Sequence, residues 1–237
     1  MKSTMEIPGF SPIRERQAGI FVIDDHPLMR EGLAKVVELE PDMQVTGETG
    51  QARGAVDRLL DAKPDAVLLD LSLKDGNGLE LIKDIRAAGI SAPILVLSMH
   101  DESLYAERAL KAGANGYLMK DEATDQVVEG LRLVLSGEVY LSPRMNRLLL
   151  KRLSGGRGSA DQDHGVTRLT DRELEILELI GRGQPSGAIA QTLGISPRTV
   201  GAHRSNIREK LGLASGSEVV RYAVQWVDAE MPDSFRP

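Results

Sequence analysis

The chain has 237 residues, a length that suits one large domain or two small ones. Its residues are 41% hydrophobic and 27% charged, as in ordinary globular proteins, and the lack of cysteine excludes disulfide bonds, thiol catalysis and cysteine-bound zinc. A net charge of −6 disfavours nucleic-acid binding over the whole surface, although residues 198–210 hold four arginine or lysine residues against one glutamate.

The first 19 residues contain prolines, glycines and charged residues, and we expect them to form an N-terminal extension. This segment lacks the apolar core of a secretory signal. No stretch of the chain approaches the ~20 apolar residues that span a bilayer. We therefore expect a cytoplasmic protein that makes no membrane contact.

Short apolar runs alternate with segments of helical periodicity between residues 20 and 137, the first predicted domain. Runs rich in valine, isoleucine and leucine are typical of buried strands. Five strand–helix repeats predict a doubly wound, five-stranded parallel sheet of flavodoxin-like α/β type, with strand order 2-1-3-4-5. The predicted strands cover 20–24, 43–49, 66–70, 93–98 and 116–119. The predicted helices cover 27–39, 52–61, 78–88 and 103–111, and Thr124 is predicted to cap a fifth.

Four of these strands end in polar residues suited to phosphoryl chemistry: Asp24 and Asp25, Asp70, Ser98 and Lys120. Ligands of open parallel sheets bind beyond the carboxyl ends of the strands, so we expect these side chains to converge. Neighbouring carboxylates repel unless a cation lies between them, and an all-oxygen site favours Mg²⁺ or Mn²⁺. Asp70 would be the nucleophile that forms an aspartyl-phosphate, with Lys120 and Ser98 on the phosphoryl oxygens. Each residue alone has a plainer interpretation as a turn, a helix cap or a solvated lysine.

The rest of the chain is predicted to be helical, with a linker over 138–166 and a small all-α domain over 167–230. The linker holds a short helix that starts at Ser142 and a glycine-, serine- and aspartate-rich stretch of flexible composition. Thr170 and Glu173 form a capping-box pattern at the first helix of the domain. Two later helices, joined through Gly194, resemble a helix-turn-helix, whose second helix would enter the major groove. A helical bundle with solvated charges is the alternative.

Residues 20–137 resemble the receiver domain of bacterial two-component response regulators. The match rests on the acidic pair, the aspartate at 70, the serine at 98 and the lysine at 120, joined by Tyr117 three residues before the lysine. It implies that a sensor histidine kinase phosphorylates Asp70, while Asp24, Asp25 and Asp70 hold the metal. Ser98 and Tyr117 would be the switch pair, with Tyr117 turning inward after phosphorylation. Asp121 departs from the family, in which a proline often follows the lysine.

Ser72 and His100 each lie two residues beyond a predicted site residue, Asp70 and Ser98. We expect their side chains to border the route of water to the phosphoryl group and to set its rate of hydrolysis.

Residues 166–227 resemble the LuxR-type DNA-binding domain of NarL-like regulators, on a pattern that runs from Leu169 to Leu211. The resemblance implies binding to double-stranded DNA and dimerisation through the last helix, promoted by phosphorylation. Gly187 and Ala188 stand where the family usually has a polar residue followed by glutamate. Gly201, Ala202 and Ser205 are small where some members carry base-reading lysines, so specificity would rest partly on DNA shape. The predicted DNA-binding residues are Arg198, Thr199, Ala202, His203, Arg204, Ser205, Asn206, Arg208 and Lys210.

Two other functions compete with a phosphorylation-controlled transcription factor, which is not an enzyme. A Mg²⁺-dependent hydrolase could use Asp70 as its nucleophile, but the second aspartate expected two residues on is Ser72, and the helical tail would have no role. A regulator that works without phosphate is the other alternative, although the complete acidic site disfavours it.

Overall fold

The computed structural model describes residues 16–100, 102–121, 123–153 and 165–230, and its first half is a five-stranded parallel sheet wrapped by helices. The strands pair in the order β2-β1-β3-β4-β5, as predicted. The strands are β1 (Ala18–Ile23), β2 (Met43–Thr49), β3 (Ala66–Asp70), β4 (Ile94–Ser98) and β5 (Gly116–Met119). The helices are α1 (Pro27–Glu38), α2 (Ala55–Ala62), α3 (Gly78–Ala87), α4 (Glu102–Ala112) and α5 (Ala123–Leu135).

The two faces of the sheet are buried under different helices. Every residue of β3 and β4 is buried, because alternate side chains point to opposite faces and both faces are covered. Val67 and Leu69 pack with residues of α2, α3 and α4, while Leu68 packs with residues of α1 and α5. Because the strands are parallel, the polar residues at their carboxyl ends lie at the same edge of the sheet.

Three elements start two or more residues away from their predicted first residues. The first strand starts at Ala18, so two residues of the expected extension belong to the sheet. The second helix starts at Ala55 rather than residue 52, because Asp75 accepts hydrogen bonds from the backbone N–H groups of Ala52 and Arg53 and holds them in a turn. Helix α5 begins at Ala123, which places Thr124 inside the helix rather than at its cap.

Much of the predicted linker is attached to the first domain. Tyr140 exchanges backbone hydrogen bonds with residues 115 and 117 beside β5, and Ser142 caps the next helix, α6 (Pro143–Leu153). Buried Met145 on this helix belongs to the core that includes α4. The predicted flexible stretch lies mainly at 154–164, outside the described residues.

The second domain begins with a 3₁₀ turn at Val166–Arg168, which the sequence patterns missed, followed by four helices. Thr170 and Glu173 form the predicted capping box. Gly181 is required for close packing, since a Cβ there would lie 2.4 Å from the carbonyl oxygen of Ala223. No helix in the described part of the chain is both long and apolar enough to cross a bilayer. The four helices are α7 (Asp171–Gly181), α8 (Ser186–Thr192), α9 (Pro197–Lys210) and α10 (Gly216–Glu230).

Candidate functional site

The three predicted carboxylates converge at the carboxyl ends of β1 and β3, which are neighbours in the sheet. One ligand atom from each of Asp24, Asp25, His26 and Asp70 lies within 4.8 Å of the others. Asp24, Asp25 and Asp70 are buried. His26 was not predicted as a site residue, although its position directly after the acidic pair would have indicated it.

The loop after β3 fixes the carboxylate of Asp70. The backbone N–H of Ser72 donates to Asp70 Oδ1 over 2.9 Å. The N–H of Gly78 donates to the carbonyl oxygen of Leu71 over 3.0 Å, so the start of α3 closes the loop. A Cβ at Gly78 would lie 2.4 Å from Leu71 Cα, which makes glycine necessary for this close approach.

Lys120 brings one buried positive charge to this cluster. Its Nζ lies 2.6 Å from Asp70 Oδ2 and 2.8 Å from Asp24 Oδ2. Burial raises the pKa of Asp70 above its ordinary value, although Lys120 acts in the opposite direction. Burial alone would lower the pKa of Lys120, but the charge of Asp70 and the hydrogen bonds to Asp24 and Asp70 raise it above its ordinary value. Lys120 is therefore a permanent cation at the site.

Two buried carboxylate oxygens of the site, Asp24 Oδ2 and Asp25 Oδ1, are contacted by side-chain nitrogens rather than by backbone N–H groups of the described residues. They lie within ion-pair distance of Lys120 Nζ and His26 Nδ1, respectively. Three carboxylates share one buried lysine here, so a bound cation would offset the repulsion that remains among them. Hard oxygen donors fit Mg²⁺ or Mn²⁺, and receiver domains generally bind Mg²⁺ in an acidic pocket of this kind.

The predicted switch residues meet at the end of β4. Ser98 Oγ accepts a 3.0 Å hydrogen bond from the backbone N–H of His100. The hydroxyl of Tyr117 donates to the carbonyl oxygen of the same residue over 2.8 Å, and the ring is buried. Tyr117 is thus already directed inward in this structure.

The exposed side of α9 carries most of the predicted DNA-binding residues. Ser196 caps the helix by accepting a 3.0 Å hydrogen bond from the N–H of Thr199. Lys210 faces the other way, since its Nζ donates to Glu173 Oε2 over 2.6 Å and ties α9 to α7. Thr199, His203 and Arg204 are half-buried. The exposed residues of the predicted set are Arg198, Ala202, Ser205, Asn206 and Arg208.

Helix α7 docks on the first domain, a contact that the sequence patterns did not indicate. Arg108 on α4 donates to Asp171 Oδ1 over 2.9 Å and to the carbonyl oxygens of Leu169 and Val166. Glu178, farther along α7, lies 2.8 Å from His100 through Oε2 and Nδ1. Acidic residues on an amphipathic helix resemble a solvated face, so their sequence carries no sign of this contact.

Comparison with known proteins identifies both halves of the chain. Residues 20–132 match the family described as "Response regulator receiver domain", and residues 167–223 match "Bacterial regulatory proteins, luxR family". The chain is 36% identical to the nitrate/nitrite response regulator protein homolog of Haemophilus influenzae, over 83% of this chain and 91% of that protein. It is 34% identical to the nitrate/nitrite response regulator NarL of Escherichia coli, over 91% of this chain and 97% of that protein.

A solved structure shares the same architecture. RcsB of Salmonella enterica serovar Typhimurium, bound to promoter P1flhDC in the presence of the phosphomimetic BeF3⁻, superposes with a TM-score of 0.62 at 26% identity. The match covers 89% of this chain and all of that one. The chain therefore belongs to the two-component response regulators that join a receiver domain to a LuxR-type DNA-binding domain, and it is a transcription regulator phosphorylated on an aspartate by a histidine kinase, not an enzyme.

Proposed function

We propose that Asp70 is the phosphoacceptor and that Lys120 and Ser98 bind the phosphoryl oxygens. The buried carboxylate of Asp70, held between Lys120 Nζ and the Ser72 N–H at the end of β3, is the observation that carries this proposal. A lysine within 2.6 Å can neutralise negative charge added there. Tyr117 and Ser98, joined through the backbone of His100, would report the new charge to α4 and β5.

Asp24, Asp25 and Asp70 are the residues that would hold Mg²⁺ or Mn²⁺. The convergence of one oxygen from each carboxylate within 4.8 Å of the others supports this assignment. The bound ion would supply charge that draws the phosphoryl group of the donor toward Asp70. Lys120 shares that work, and it also offsets the repulsion among the carboxylates.

Labelling with acetyl phosphate in Mg²⁺ tests these assignments. The parent protein is expected to take up one phosphoryl group, and Asp70→Asn is expected to take up none. Asp75→Asn is the matched control, because this aspartate lies in the same loop but binds Ala52 and Arg53. Label on Asp70→Asn, or none on the parent, would contradict the proposal.

We also propose that α9 is the recognition helix. Arg198 and Arg208 would bind phosphates, while Ala202, Ser205 and Asn206 would face the bases. Their exposure along one helix supports this division. Thr199, His203 and Arg204 would contact the backbone of the DNA at the edge of the same face. Lys210 is paired with Glu173 and would contribute little.

Salt-dependent DNA binding separates phosphate contacts from base contacts. Arg198→Ala is expected to weaken binding to all sequences and to reduce the salt slope by about one phosphate contact. Ser205→Ala is expected to alter sequence preference while leaving that slope unchanged. The matched control is Arg221→Ala, which removes the same charge from an exposed position on α10. An equal effect of Arg198→Ala and Arg221→Ala would rule out the specific role of α9.

A homodimer through α10, promoted by phosphorylation, is part of the proposal. Val220 and Val224, one turn apart on this helix, are exposed. Two such helices would cover each other's apolar side chains and place two recognition helices on paired half-sites. Val224→Asp is expected to abolish dimers in sedimentation of the phosphorylated protein.

The domain limits that we propose are a receiver over 18–137, a connecting segment over 138–166 and a DNA-binding domain over 167–230. The pairing of residue 140 with β5 supports treating the first part of that segment as fixed to the receiver. The proposed location is cytoplasmic, where a regulator meets the chromosome.

A further inference from the structure

His100 uses all of its polar groups, and one of its contacts reaches the second domain. Its backbone N–H donates to Ser98 Oγ, and its carbonyl oxygen accepts from Tyr117. Its Nε2 lies 3.0 Å from Ser72 Oγ, and its Nδ1 lies 2.8 Å from Glu178 Oε2. One imidazole thus joins the loop beside Asp70 to helix α7 of the DNA-binding domain.

The partners of the ring determine which nitrogen carries the proton. Burial would raise the pKa of Glu178, but the hydrogen bond from His100 and the charge of Arg182, its ion-pair partner, hold it below its ordinary value. The carboxylate can only accept, so Nδ1 of His100 donates to it. In the neutral ring Nε2 is then an acceptor, and the hydroxyl of Ser72 donates to it.

Tyr105 fixes this arrangement from the receiver side. Its ring stacks on the imidazole of His100 with centroids 4.5 Å apart, and its hydroxyl donates to Glu178 Oε2 over 3.1 Å. Burial, with the charge of Glu178 next, raises the pKa of Tyr105 well above its ordinary value, so the hydroxyl keeps its proton. The imidazole is therefore held in one plane and one tautomer.

The order carboxylate, imidazole, hydroxyl is the arrangement that removes a proton from a reacting hydroxyl or water. Ser72 and His100 lie two residues after the strand ends that carry Asp70 and Ser98, and the backbone N–H of Ser72 donates to Asp70 Oδ1. Water that attacks a phosphoryl group on Asp70 must approach in line, opposite the Asp70 oxygen.

We propose that Glu178 of the docked DNA-binding domain completes a relay with His100 and Ser72 that removes the phosphoryl group from Asp70. The oxygen of a water molecule bonds to phosphorus, and the bond from phosphorus to the Asp70 oxygen breaks with its electrons returning to the carboxylate. Ser72 takes the proton of the water and passes its own to His100 Nε2, while Glu178 holds the ring. Inorganic phosphate leaves, and His100 returns the proton to solvent.

The proposal rests on Asp70 being the phosphoacceptor and adds a regulatory consequence to it. Glu178 is a positioning residue that reaches His100 only while α7 is docked on the receiver. A docked regulator would lose its phosphoryl group quickly, and one whose DNA-binding domain has left the receiver would keep it longer. Domain position would thus set the lifetime of the signal.

The lifetime of the phosphoryl group is the quantity to measure. The full-length protein is labelled with acetyl [³²P]phosphate in Mg²⁺, the donor is removed, and the remaining label is followed over time. Glu178→Gln keeps the size of the side chain but removes its charge, and we expect it to lengthen the lifetime about tenfold or more. Ser72→Ala is expected to act in the same direction, and it does not depend on α7 packing.

The matched control is Glu175→Gln. Glu175 lies one turn earlier on α7 and also contacts the receiver, where Asn77 Nδ2 donates to its Oε2 over 3.1 Å, but it takes no part in the relay. Its variant is expected to keep the lifetime of the parent. An equally longer lifetime in both glutamate variants would mean that docking, and not proton transfer, sets the lifetime, which would overturn the relay. Lifetimes equal to that of the parent in Glu178→Gln and Ser72→Ala would also overturn it.

Added imidazole separates proton transfer from a structural role. His100→Ala is expected to hold its label longer than the parent, and imidazole in solution is expected to accelerate its loss from this variant but not from the parent. No acceleration would contradict the role of His100 as the base. Failure of all variants to take up label at Asp70 would instead refute the phosphoacceptor assignment.

Discussion

At the scale of single residues, Lys120 neutralises two buried carboxylates at once. Its ammonium group lies within 2.8 Å of one oxygen on each of Asp24 and Asp70, and all three side chains are buried. Buried carboxylates are costly in the absence of a counter-charge. The raised pKa of Asp70 shows that burial outweighs even this neighbour.

We therefore expect Lys120→Ala to lower the free energy of unfolding by about 3–5 kcal/mol without divalent metal, because it leaves two buried carboxylates unpaired. Mg²⁺ should restore part of this loss, since a bound cation would replace the missing charge. Urea unfolding in EDTA and in Mg²⁺ provides the measurement.

Lys74→Ala is the control for this prediction. Lys74 Nζ lies 3.4 Å from Asp25 Oδ2, but its side chain is 73% exposed. An exposed pair contributes about 0–1 kcal/mol, so a small effect is expected. Similar losses in the two variants would show that burial of Lys120 is not the cause.

The sequence predicts the residues that strand ends bring together and misses those that need two domains. Asp70 follows an apolar run and Lys120 follows another, so the shared edge of a parallel sheet places both. Glu178 is 78 residues from His100 along the chain, and no local period connects them. Its contact depends on how α7 docks, which is a property of tertiary packing.

At the scale of elements, strands were more predictable than helix starts. β2, β3 and β5 have the predicted limits because their apolar runs are bounded by turn residues. The start of α2 depends on Asp75, some 20 residues later in the chain, and this cap has no local pattern. The same limitation applies to residue 140, whose pairing with β5 is not visible in a segment of linker-like composition.

Glu173 connects two elements of the DNA-binding domain, and its contribution to stability depends on pH. It caps α7 and accepts a hydrogen bond from Lys210 on α9. Burial would raise the pKa of Glu173, but Lys210 and Thr170 together lower it below the ordinary 4.5. A carboxylate with a lowered pKa stabilises the fold above its ordinary pKa, and the stabilisation is lost as pH falls through the lower folded value.

We expect Glu173→Gln to lower the free energy of unfolding by about 1–2 kcal/mol at neutral pH, since glutamine retains the cap but loses the ion pair with Lys210. The difference from the parent should shrink as the pH falls below the ordinary 4.5 of glutamate. Thermal unfolding at several pH values measures both effects. Glu209→Gln, at an exposed position beside Lys210, is expected to change little, and a loss that is independent of pH would contradict the ionic explanation.

At the scale of the whole molecule, docking covers α7 but leaves the proposed DNA-reading side of α9 exposed. Arg108, Lys83 and Asn77 of the receiver contact Asp171 and Glu175 on α7, while the exposed residues of α9 remain accessible to solvent. In this arrangement the receiver controls where the recognition helix is held, rather than covering its surface. Contact between α7 and the proposed phosphorylation site runs through His100.

Arg108→Ala tests whether this docking is a stable state with a function. The variant loses three hydrogen bonds from a guanidinium group to α7 and the turn before it, and we expect docking to weaken by about 3 kcal/mol, roughly a hundredfold in the docked-to-released ratio. Small-angle scattering should then show a larger radius of gyration.

Because release also withdraws Glu178 from His100, the Arg108→Ala variant should keep its phosphoryl group longer. Lys111→Ala, which removes an exposed pair with Glu107 on the same helix, should change neither quantity. A larger radius with an unchanged lifetime would separate the two ideas: the domains would part, yet the DNA-binding domain would have no part in removing the phosphoryl group.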